Sequence, residues 1–330
     1  MADSFEMETA SGPMVDCHVH LAALPEGENG CRISSKLLRS PLFKFLLWKH
    51  GLDPANPQQA NQKYMDDLLT ELGQSLYVGK VVLLGMDGVY DDSGRLDESG
   101  TDLLVGNDYV LQKSATSAGR CLAGVSINPH RRDAIDELHR CADAGAVLVK
   151  VLPNMQRFDP ADKRYTAFYR AMALRRIPLL SHVGYEFSLI GTDQSLGDPA
   201  RLRVPLDEGV TVIAAHACSS GLMIYEKFHP TFLELVDTYR NFFADISALT
   251  LPNRLKMLLL LREHPDVHHR LLFGTDYPLS VFHLPAWFRI ERAALVDIIG
   301  TKNRFDRQFK VCRSLGIQFH SFDRITGPGG

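Results

Sequence analysis

The sequence lacks a surplus of charge of either sign. Among its 330 residues, 36 lysines and arginines nearly balance 39 aspartates and glutamates, which gives a formal net charge of −3 at pH 7. Proteins that hold nucleic acid by its phosphate backbone depend on clustered positive charge. The near balance therefore argues against a nucleic-acid partner.

Long hydrophobic runs are also missing. The longest aliphatic run, MLLLL at residues 257–261, ends at Arg262 and is far too short to cross a bilayer. Residues 1–13, MADSFEMETASGP, have neither the basic start nor the apolar core of a secretion signal. We expect this stretch to be disordered, and the protein to be cytoplasmic and without a membrane partner.

The six cysteines form no CxxC pair and are spread widely along the chain. Cysteines with this distribution, in a chain of this size without a signal, are typical of reduced thiols in the cytosol. The sequence therefore predicts no disulfide framework.

A GxGxxG motif after the first apolar segment is absent, which removes the main signature of a doubly wound, dinucleotide-binding sheet. Instead, eight short apolar runs recur, most of them continuous, as in strands buried on both faces of a parallel sheet. They lie at residues 14–18, 80–85, 121–126, 146–151, 177–182, 210–216, 241–247 and 270–276. Helical patterns separate them. The alternation predicts an α/β fold, a (β/α)₈ TIM barrel, as a single domain over residues 14–320.

Three further segments carry predictions of their own. Residues 22–79 are long for a barrel connection, and Ser40 and Pro41 suit the start of a helix within them. We predict a helical insertion after the first strand, near the barrel mouth, acting as a lid, a subunit contact or extra core. We also predict C-terminal helices after residue 285 and a flexible tail over residues 321–330.

Two histidines end the first predicted strand, in the stretch VDCHVHL. A strand points residues i and i+2 to one face, so the rings of His18 and His20 could reach one metal ion. Chance alone gives about 0.5 such pairs in a chain with this histidine content, so the motif needs further support.

The other strand ends supply that support. In a (β/α)₈ barrel the C-terminal ends of all strands meet at one mouth, where the working residues lie. Nitrogen and oxygen donors gathered there suit zinc or a similar divalent ion. The candidates are His18, His20, Lys150, His182, His216 and Asp276.

The order of these residues resembles the amidohydrolase superfamily. VDCHVHL, LLSHVG, AAHACSSG and LLFGTDYP look like its amidohydrolase-related TIM-barrel hydrolases, the branch that also holds the aminocarboxymuconate-semialdehyde decarboxylases. The resemblance covers roughly residues 14–280. It implies a divalent metal, with zinc the expected ion, bound by His18, His20 and Asp276, with His182 as a further ligand. It also implies a metal-activated water whose proton Asp276 accepts.

Two residues leave the number of metal ions open. In binuclear members of the superfamily, a lysine at the place of Lys150 is carboxylated and bridges two ions, with His182 and His216 on the second ion. With a single ion, Lys150 stays unmodified and His216 polarises the substrate carbonyl. Strand alternation points Lys150 inward in either case.

The resemblance favours a metal-dependent hydrolase that cleaves a C–N or C–O bond of a small carbonyl compound, an amide or a lactone. The alternative is a mononuclear, non-oxidative decarboxylase of an aromatic or dienoic acid. A non-catalytic binding protein is a third hypothesis, against which the intact set of ligands argues. The substrate is not predicted, because loops set specificity in this fold. The apolar helix near residues 42–50 could pair subunits into a homo-oligomer.

Weaker candidates follow other strand ends. Asp245 and Ser247 are expected to orient a ligand histidine, and three arginines are expected on the surface. The remaining residues could contact substrate. The full set is Asp87, Asn128, His130, Asn154, Tyr185, Asp245 and Ser247, with the arginines Arg131, Arg132 and Arg157.

Overall fold

Eight parallel strands form the central sheet of the protein, seen in a computed structural model that describes residues 13–186, 193–223, 225–287 and 290–326. The predicted disordered N-terminus, apart from Pro13, lies outside these residues. Along the sheet the order is β1, β3, β5, β6, β7, β8, β9, β10. Each neighbouring pair follows in chain order, with helices between, so the predicted (β/α)₈ barrel is confirmed. The bounds are β1 Met14–His20, β3 Val78–Leu84, β5 Cys121–Ser126, β6 Ala146–Val151, β7 Leu179–Ser181, β8 Val212–Ala214, β9 Phe242–Asp245 and β10 Leu271–Leu272.

The first and last strands lie side by side. The Asp276 amide donates to the His18 carbonyl at 2.9 Å, and the Cys17 amide donates to the Phe273 carbonyl at 3.1 Å. These hydrogen bonds join β1 to the segment after β10, although that strand itself is only two residues long. Several strands end before the site residues that follow them: β8 ends at Ala214, before His216, and β10 ends at Leu272, before Asp276. His216 and Asp276 both have positive φ, at 57° and 64°, which turns their side chains into the mouth.

The segment between β1 and β3 contains three helices and a short strand. Strand β2 (Arg32–Ile33) pairs antiparallel with β4 (Leu103–Leu104). The helices are α1 (Ser35–Arg39), α2 (Pro41–Lys49) and α3 (Pro57–Gly73).

Helix α3 is tied to the end of β1 by side-chain hydrogen bonds. The Asn61 amide accepts from the Leu24 backbone N–H at 2.7 Å and donates to its carbonyl at 3.0 Å. The Tyr64 hydroxyl donates to the His20 carbonyl. The insertion is therefore anchored beside the two histidines of β1.

Ten further α-helices, together with six short 3₁₀ helices, lie in the described residues. Among the described residues, none of the helices combines the length and hydrophobicity needed to cross a membrane. The helices are α4 Asn107–Ala115, α5 Ala134–Asp143, α6 Pro153–Gln156, α7 Thr166–Arg175, α8 Arg203–Asp207, α9 His229–Thr238, α10 Leu255–Glu263, α11 Arg292–Gly300, α12 Arg304–Ser314 and α13 Asp323–Thr326.

The C-terminal segment differs from the predicted flexible tail. Phe322 is buried against the residues inside the barrel, among them Val15 and Leu272. The Ser321 hydroxyl accepts a hydrogen bond from the Val15 amide at 2.8 Å, and α13 follows. Burying an aromatic ring orders this segment, because it removes a large apolar area from water. Residues 327–330 lie outside the described part.

Candidate functional site

Three of the predicted ligands meet at the barrel mouth. His20 Nε2 lies 2.9 Å from an Asp276 carboxylate oxygen, and His18 Nε2 lies 3.4 Å from the same oxygen. The potential ligand atoms of the three residues all lie within 4.8 Å of one another. His18 and Asp276 are buried, and the His20 side chain is 32% exposed. Two imidazoles and a carboxylate in this arrangement form a donor set that fits a divalent ion.

Side chains at the end of β9 hydrogen-bond the His18 ring on the side away from Asp276. Its Nδ1 lies 2.8 Å from Asp245 Oδ2 and 3.1 Å from the Ser247 hydroxyl. A carboxylate at Nδ1 favours the tautomer that carries its proton there. The lone pair of Nε2 then points to Asp276. Gly274 permits this approach, because a Cβ at residue 274 would lie 3.1 Å from the Cβ atoms of both His18 and Ser247.

His216 is oriented by the same strand. Its Nδ1 lies 2.8 Å from the Ser247 hydroxyl, and its backbone amide donates to Asp245 Oδ1 at 2.9 Å. Burial, and next the charge of Arg254, hold the pKa of His216 well below its usual range. Burial and Arg254 act in the same way on the pKa of His182. Both rings are therefore neutral, which is the form that binds metal.

His182 has an unused nitrogen. Its Nε2 is buried and, among the described residues, has no hydrogen-bond partner. The Glu186 carboxylate oxygen Oε2 lies 3.6 Å from this nitrogen, which is too long for a hydrogen bond. Buried polar atoms rarely stay without a partner unless they serve a ligand, an ion or a water. This orphaned nitrogen beside the donor set fits its predicted role as a metal ligand.

Lys150 points inward, as strand alternation predicts. It is fully buried, and its Nζ lies 3.3 Å from His18 Nε2. Burial lowers the pKa of Lys150 to about 8, although Asp245 and Asp276 oppose the shift. The pKa of Asp276 is also lowered, but for a different reason. Burial would raise its pKa, but the rings of His18 and His20 outweigh that effect and hold it well below its usual range. Asp276 is therefore an anionic carboxylate.

These residues form the polar end of a cavity of about 270 Å³. His20, Lys150, His182, His216 and Asp276 line that end. The rest of the wall is mostly aliphatic, and part of it comes from the inner face of α2. The apolar lining residues include Leu21, Leu24, Ile33, Phe43, Leu46, Leu47, Leu52, Leu84, Met86, Leu103, Val105, Leu152, Leu251 and Leu279.

Most of the weaker candidates have other roles. Asp87 and Asn128 are buried and hydrogen-bonded to neighbouring backbone groups. The His130 ring is hydrogen-bonded to the Tyr165 hydroxyl. The Asn154 side chain donates to the Gly184 carbonyl and to the Gln194 side chain. Arg132 and Arg157 are exposed, and Arg131 pairs with Asp133 and Asp87. Tyr185 lines the cavity.

Sequence reasoning missed Arg254 and Glu186, which line the cavity. The inner face of α2 also lines it, and this helix belongs to the insertion that was predicted to lie near the mouth. Arg254 ends the loop after β9, and it is the only charged residue in the stretch 246–254. A search of the loops at the C-terminal strand ends for isolated charges would have found it.

The sequence profile of the amidohydrolase family matches residues 15–297. The chain belongs to this family of enzymes. No protein with a curated description matches the amidohydrolase chain significantly.

Solved structures share the fold of this amidohydrolase at low sequence identity. An uncharacterised TIM-barrel protein from Bordetella bronchiseptica aligns over 92% of this chain and 99% of its own, with 17% identity and a TM-score of 0.58. The 5-carboxyvanillate decarboxylase from Sphingomonas paucimobilis aligns over 93% of this chain and 99% of its own, with 13% identity and a TM-score of 0.53. A probable 2-pyrone-4,6-dicarboxylic acid hydrolase from Acinetobacter baumannii aligns over 92% of this chain and 100% of its own, with 13% identity and a TM-score of 0.52. These neighbours, a hydrolase and a decarboxylase among them, show the shared barrel and do not fix the reaction.

Proposed function

We propose that this amidohydrolase is a metal-dependent hydrolase that cleaves a C–N or C–O bond of a small carbonyl compound, an amide or a lactone. The observation that supports the proposal most strongly is the convergence of His18, His20 and Asp276, with the unpartnered Nε2 of His182 beside them. A divalent ion held there, with zinc the expected one, would supply an activated water and polarise the substrate carbonyl.

The remaining tasks fall to side chains of the chain. Asp276 is an anionic carboxylate in the cavity wall, so it can accept a proton and return it to the leaving group. His216 is held by Ser247 at Nδ1, which leaves Nε2 as the nitrogen that can act in the cavity. The aliphatic wall excludes water from the reacting bond, which strengthens these electrostatic interactions.

Lys150 decides how many ions the site takes. We propose a carboxylated Lys150 that bridges two ions, with His18, His20 and Asp276 on one and with His182 and His216 on the other. The support is its buried, inward position among these residues. Replacing Lys150 with Ala should then abolish activity, and short carboxylic acids should restore part of it.

Decarboxylation is the second candidate. This reaction would use a single ion, with Lys150 as an unmodified amine beside His18, whose Nε2 lies 3.3 Å from Lys150 Nζ. Products of a substrate screen separate the two reactions, because hydrolysis adds water to the substrate and decarboxylation removes CO₂.

Metal analysis tests the proposal. We expect the purified protein to contain stoichiometric divalent metal, and His20→Ala to lose most of it because a direct ligand is removed. His269→Ala is the matched control, since His269 is exposed and its Nδ1 hydrogen-bonds the nearby Asp266 backbone carbonyl. Equal metal contents in His20→Ala and the parent protein would reject the site. Electron density at Lys150 decides between one and two ions. A cytoplasmic location and a homo-oligomer stay predictions.

A further inference from the structure

The outer face of α2 is apolar and exposed. Leu42, Phe45 and Trp48 on this face are 45%, 52% and 76% exposed. The opposite face of the same helix, with Phe43 and Leu47, forms part of the cavity wall. The cavity accounts for the apolar inner face, but it does not account for the outer one. Large apolar side chains exposed side by side are typical of a surface that binds a partner or a membrane.

Two lysines border the exposed rings of α2. Successive residues of an α-helix are rotated by about 100° around its axis, which places Phe45 and Trp48 between Lys44 on one side and Lys49 on the other. The two rings are neighbours, with centroids 5.8 Å apart. Both lysines are exposed, and no ion pair of either is found in the described part of the chain. The outer face of α2 is therefore an aromatic strip with a positive charge along each edge.

The charge around α2 is opposite in sign to that of the whole chain. Residues 29–52 contain five lysines and arginines and no aspartate or glutamate, although the formal net charge of the protein is −3. Arg32 pairs with Glu98. The other four side chains are exposed, and they are Lys36, Arg39, Lys44 and Lys49. The insertion thus presents a local positive charge at the rim of the barrel mouth.

The loop after β10 adjoins α2 and extends the exposed apolar surface. It follows the segment that pairs with β1, and the Lys49 amine donates to the Ser280 hydroxyl at 2.7 Å. Three large apolar residues of this loop are exposed, namely Phe282, Leu284 and Trp287. The chain has two tryptophans, and both belong to these two segments. Tryptophan favours the boundary between membrane and water, where its ring lies among the lipid headgroups.

A lipid surface fits α2 better than a second copy of the chain does. In a two-fold symmetric pair built on this face, the lysines of one copy would approach the same lysines of the other. Like charges facing each other across an interface oppose association. An anionic bilayer offers an apolar layer to Phe45 and Trp48, and it offers phosphates to Lys44 and Lys49, whose long side chains can reach outward to the headgroups.

We propose that α2 and the loop after β10 form a docking surface for an anionic lipid bilayer. The aromatic strip of α2 inserts at the level of the headgroups, and its lysines pair with lipid phosphates. The contact is peripheral, because α2 has nine residues and lies along the bilayer surface. The expectation of no membrane partner rested on the lack of long hydrophobic runs, which a surface contact does not need. This inference goes beyond the proposed function and does not depend on it.

Vesicle sedimentation tests the electrostatic half of the inference. The probes are vesicles of equal parts phosphatidylglycerol and phosphatidylcholine, and vesicles of phosphatidylcholine alone. We expect the parent protein to bind the anionic vesicles at least about tenfold more tightly, and added salt to weaken this binding. Lys44→Gln combined with Lys49→Gln should bind them about tenfold more weakly than the parent protein.

The matched control removes the same charge from the other end of the barrel. Lys80→Gln combined with Lys113→Gln should bind the anionic vesicles like the parent protein. Lys80 lies near the N-terminal end of β3, and Lys113 lies in the last turn of α4.

The apolar half of the inference has its own variants. Phe45→Ser combined with Trp48→Ser should bind the anionic vesicles about tenfold or more weakly than the parent protein, because the inserted rings are lost. Leu174→Ser is the control, since Leu174 is 86% exposed on α7. Trp287→Phe leaves Trp48 as the sole indole of the chain. Its fluorescence should move to shorter wavelength when anionic vesicles are added, because the ring leaves water.

Several results would overturn the docking surface. They are absent binding to anionic vesicles, equal binding to both kinds of vesicle, and unchanged binding in either folded double variant of α2. An unshifted Trp48 emission would also overturn it. A dimer in light scattering that Phe45→Ser with Trp48→Ser separates would assign this face to a second copy instead. If that double variant fails to fold by circular dichroism, Trp48→Ser alone replaces it and should bind about threefold more weakly.

Discussion

Two groups of mostly buried polar residues lie near the C-terminal ends of the barrel strands, and they differ in how completely their polar atoms are hydrogen-bonded within the protein. The first, the closed cluster, consists of Asp87, Asn128 and Gln156. The carboxylate of Asp87 accepts from the amides of Gly88 and Asn128, each at 2.8 Å, and from the Tyr90 hydroxyl at 2.9 Å. The Asn128 side chain donates to two carbonyls, and Gln156 both accepts and donates.

The second group, the open cluster, consists of His18, His20, His182 and Asp276. Here His182 Nε2 has no hydrogen-bond partner among the described residues, and Asp276 faces two imidazole nitrogens rather than a set of backbone amides. Burial costs a polar group its water, so a group that the protein leaves unpartnered marks a place for a ligand. The closed cluster stabilises the fold, and the open cluster is available for chemistry.

The largest expected difference between the clusters is in metal content. Asp276→Asn should reduce bound metal to below about a tenth of the parent value, because the ion loses its anionic ligand. Asp87→Asn, which makes the same change in the closed cluster, should keep the metal. Elemental analysis of both purified variants checks the pair, and equal losses would erase the distinction.

Stability should show the opposite order. Asp87→Ala leaves buried donors without an acceptor, so it should lower the free energy of unfolding by about 3 kcal/mol or more. His182→Leu removes a ring whose Nε2 has no hydrogen bond to lose, so the change should be within about 1 kcal/mol. Urea denaturation of the chelator-treated proteins gives both values. A larger loss in His182→Leu than in Asp87→Ala would contradict the comparison.

Lys150, whose Nζ lies 3.3 Å from His18 Nε2 in the open cluster, should make the stability of the metal-free protein depend on pH. Burial lowers the pKa of Lys150 from 10.5 to about 8 in the folded chain. Below the folded pKa the ammonium is charged in both states, and its burial penalty is fully present. Between about pH 8 and 10.5 the unfolded chain binds a proton that the folded chain does not, so stability rises with pH.

The rise amounts to roughly 3 kcal/mol if the full shift applies. The measurement is urea denaturation from pH 7.5 to 10 of the chelator-treated parent protein and of Lys150→Met. The variant lacks the titrating group, so the difference between the two curves should climb toward alkaline pH. A flat difference would show that Lys150 is not buried as an amine.

Asp245 should give the smallest effect on the metal, since it acts through another residue. It lies behind His18 at 2.8 Å and fixes the ring that presents Nε2 to the site. Asp245→Asn should weaken metal binding by about 10- to 100-fold while the direct ligands remain. Competition with a chromophoric chelator measures this affinity. An unchanged affinity would show that Ser247 and the backbone suffice to hold His18.

Much of the barrel follows from periodicity, because buried parallel strands impose continuous apolar runs. The run 146–151 coincides with β6, and its alternation places Lys150 inside. The strand ends also indicated which histidines share the mouth. The lengths of β7, β8 and β10 could not be obtained this way, because chain turns at residues such as His216 depend on contacts with β9.

Other features depend on tertiary contacts that leave no local pattern. Phe322 lies in a polar C-terminal stretch, yet it fills space inside the barrel that several distant strands create. Arg254 resembles any loop arginine in sequence, and its importance comes from the cavity around it. The closed cluster likewise could not be told from the open one, because both place polar residues just after strands.

The pairing of β1 with the segment after β10 has a consequence for the order of events during synthesis. His18 and His20 leave the ribosome early, while Asp276 emerges only after seven more barrel strands have been translated. Until then β1 lacks a neighbour on one edge, and the donor set lacks its carboxylate. A metal ion bound at this site would therefore be unable to guide the early steps of folding, and it would enter a barrel that is already assembled. A nascent chain stalled before residue 276 would expose the two histidines without a site, so its capacity to bind the ion should appear in a single late step.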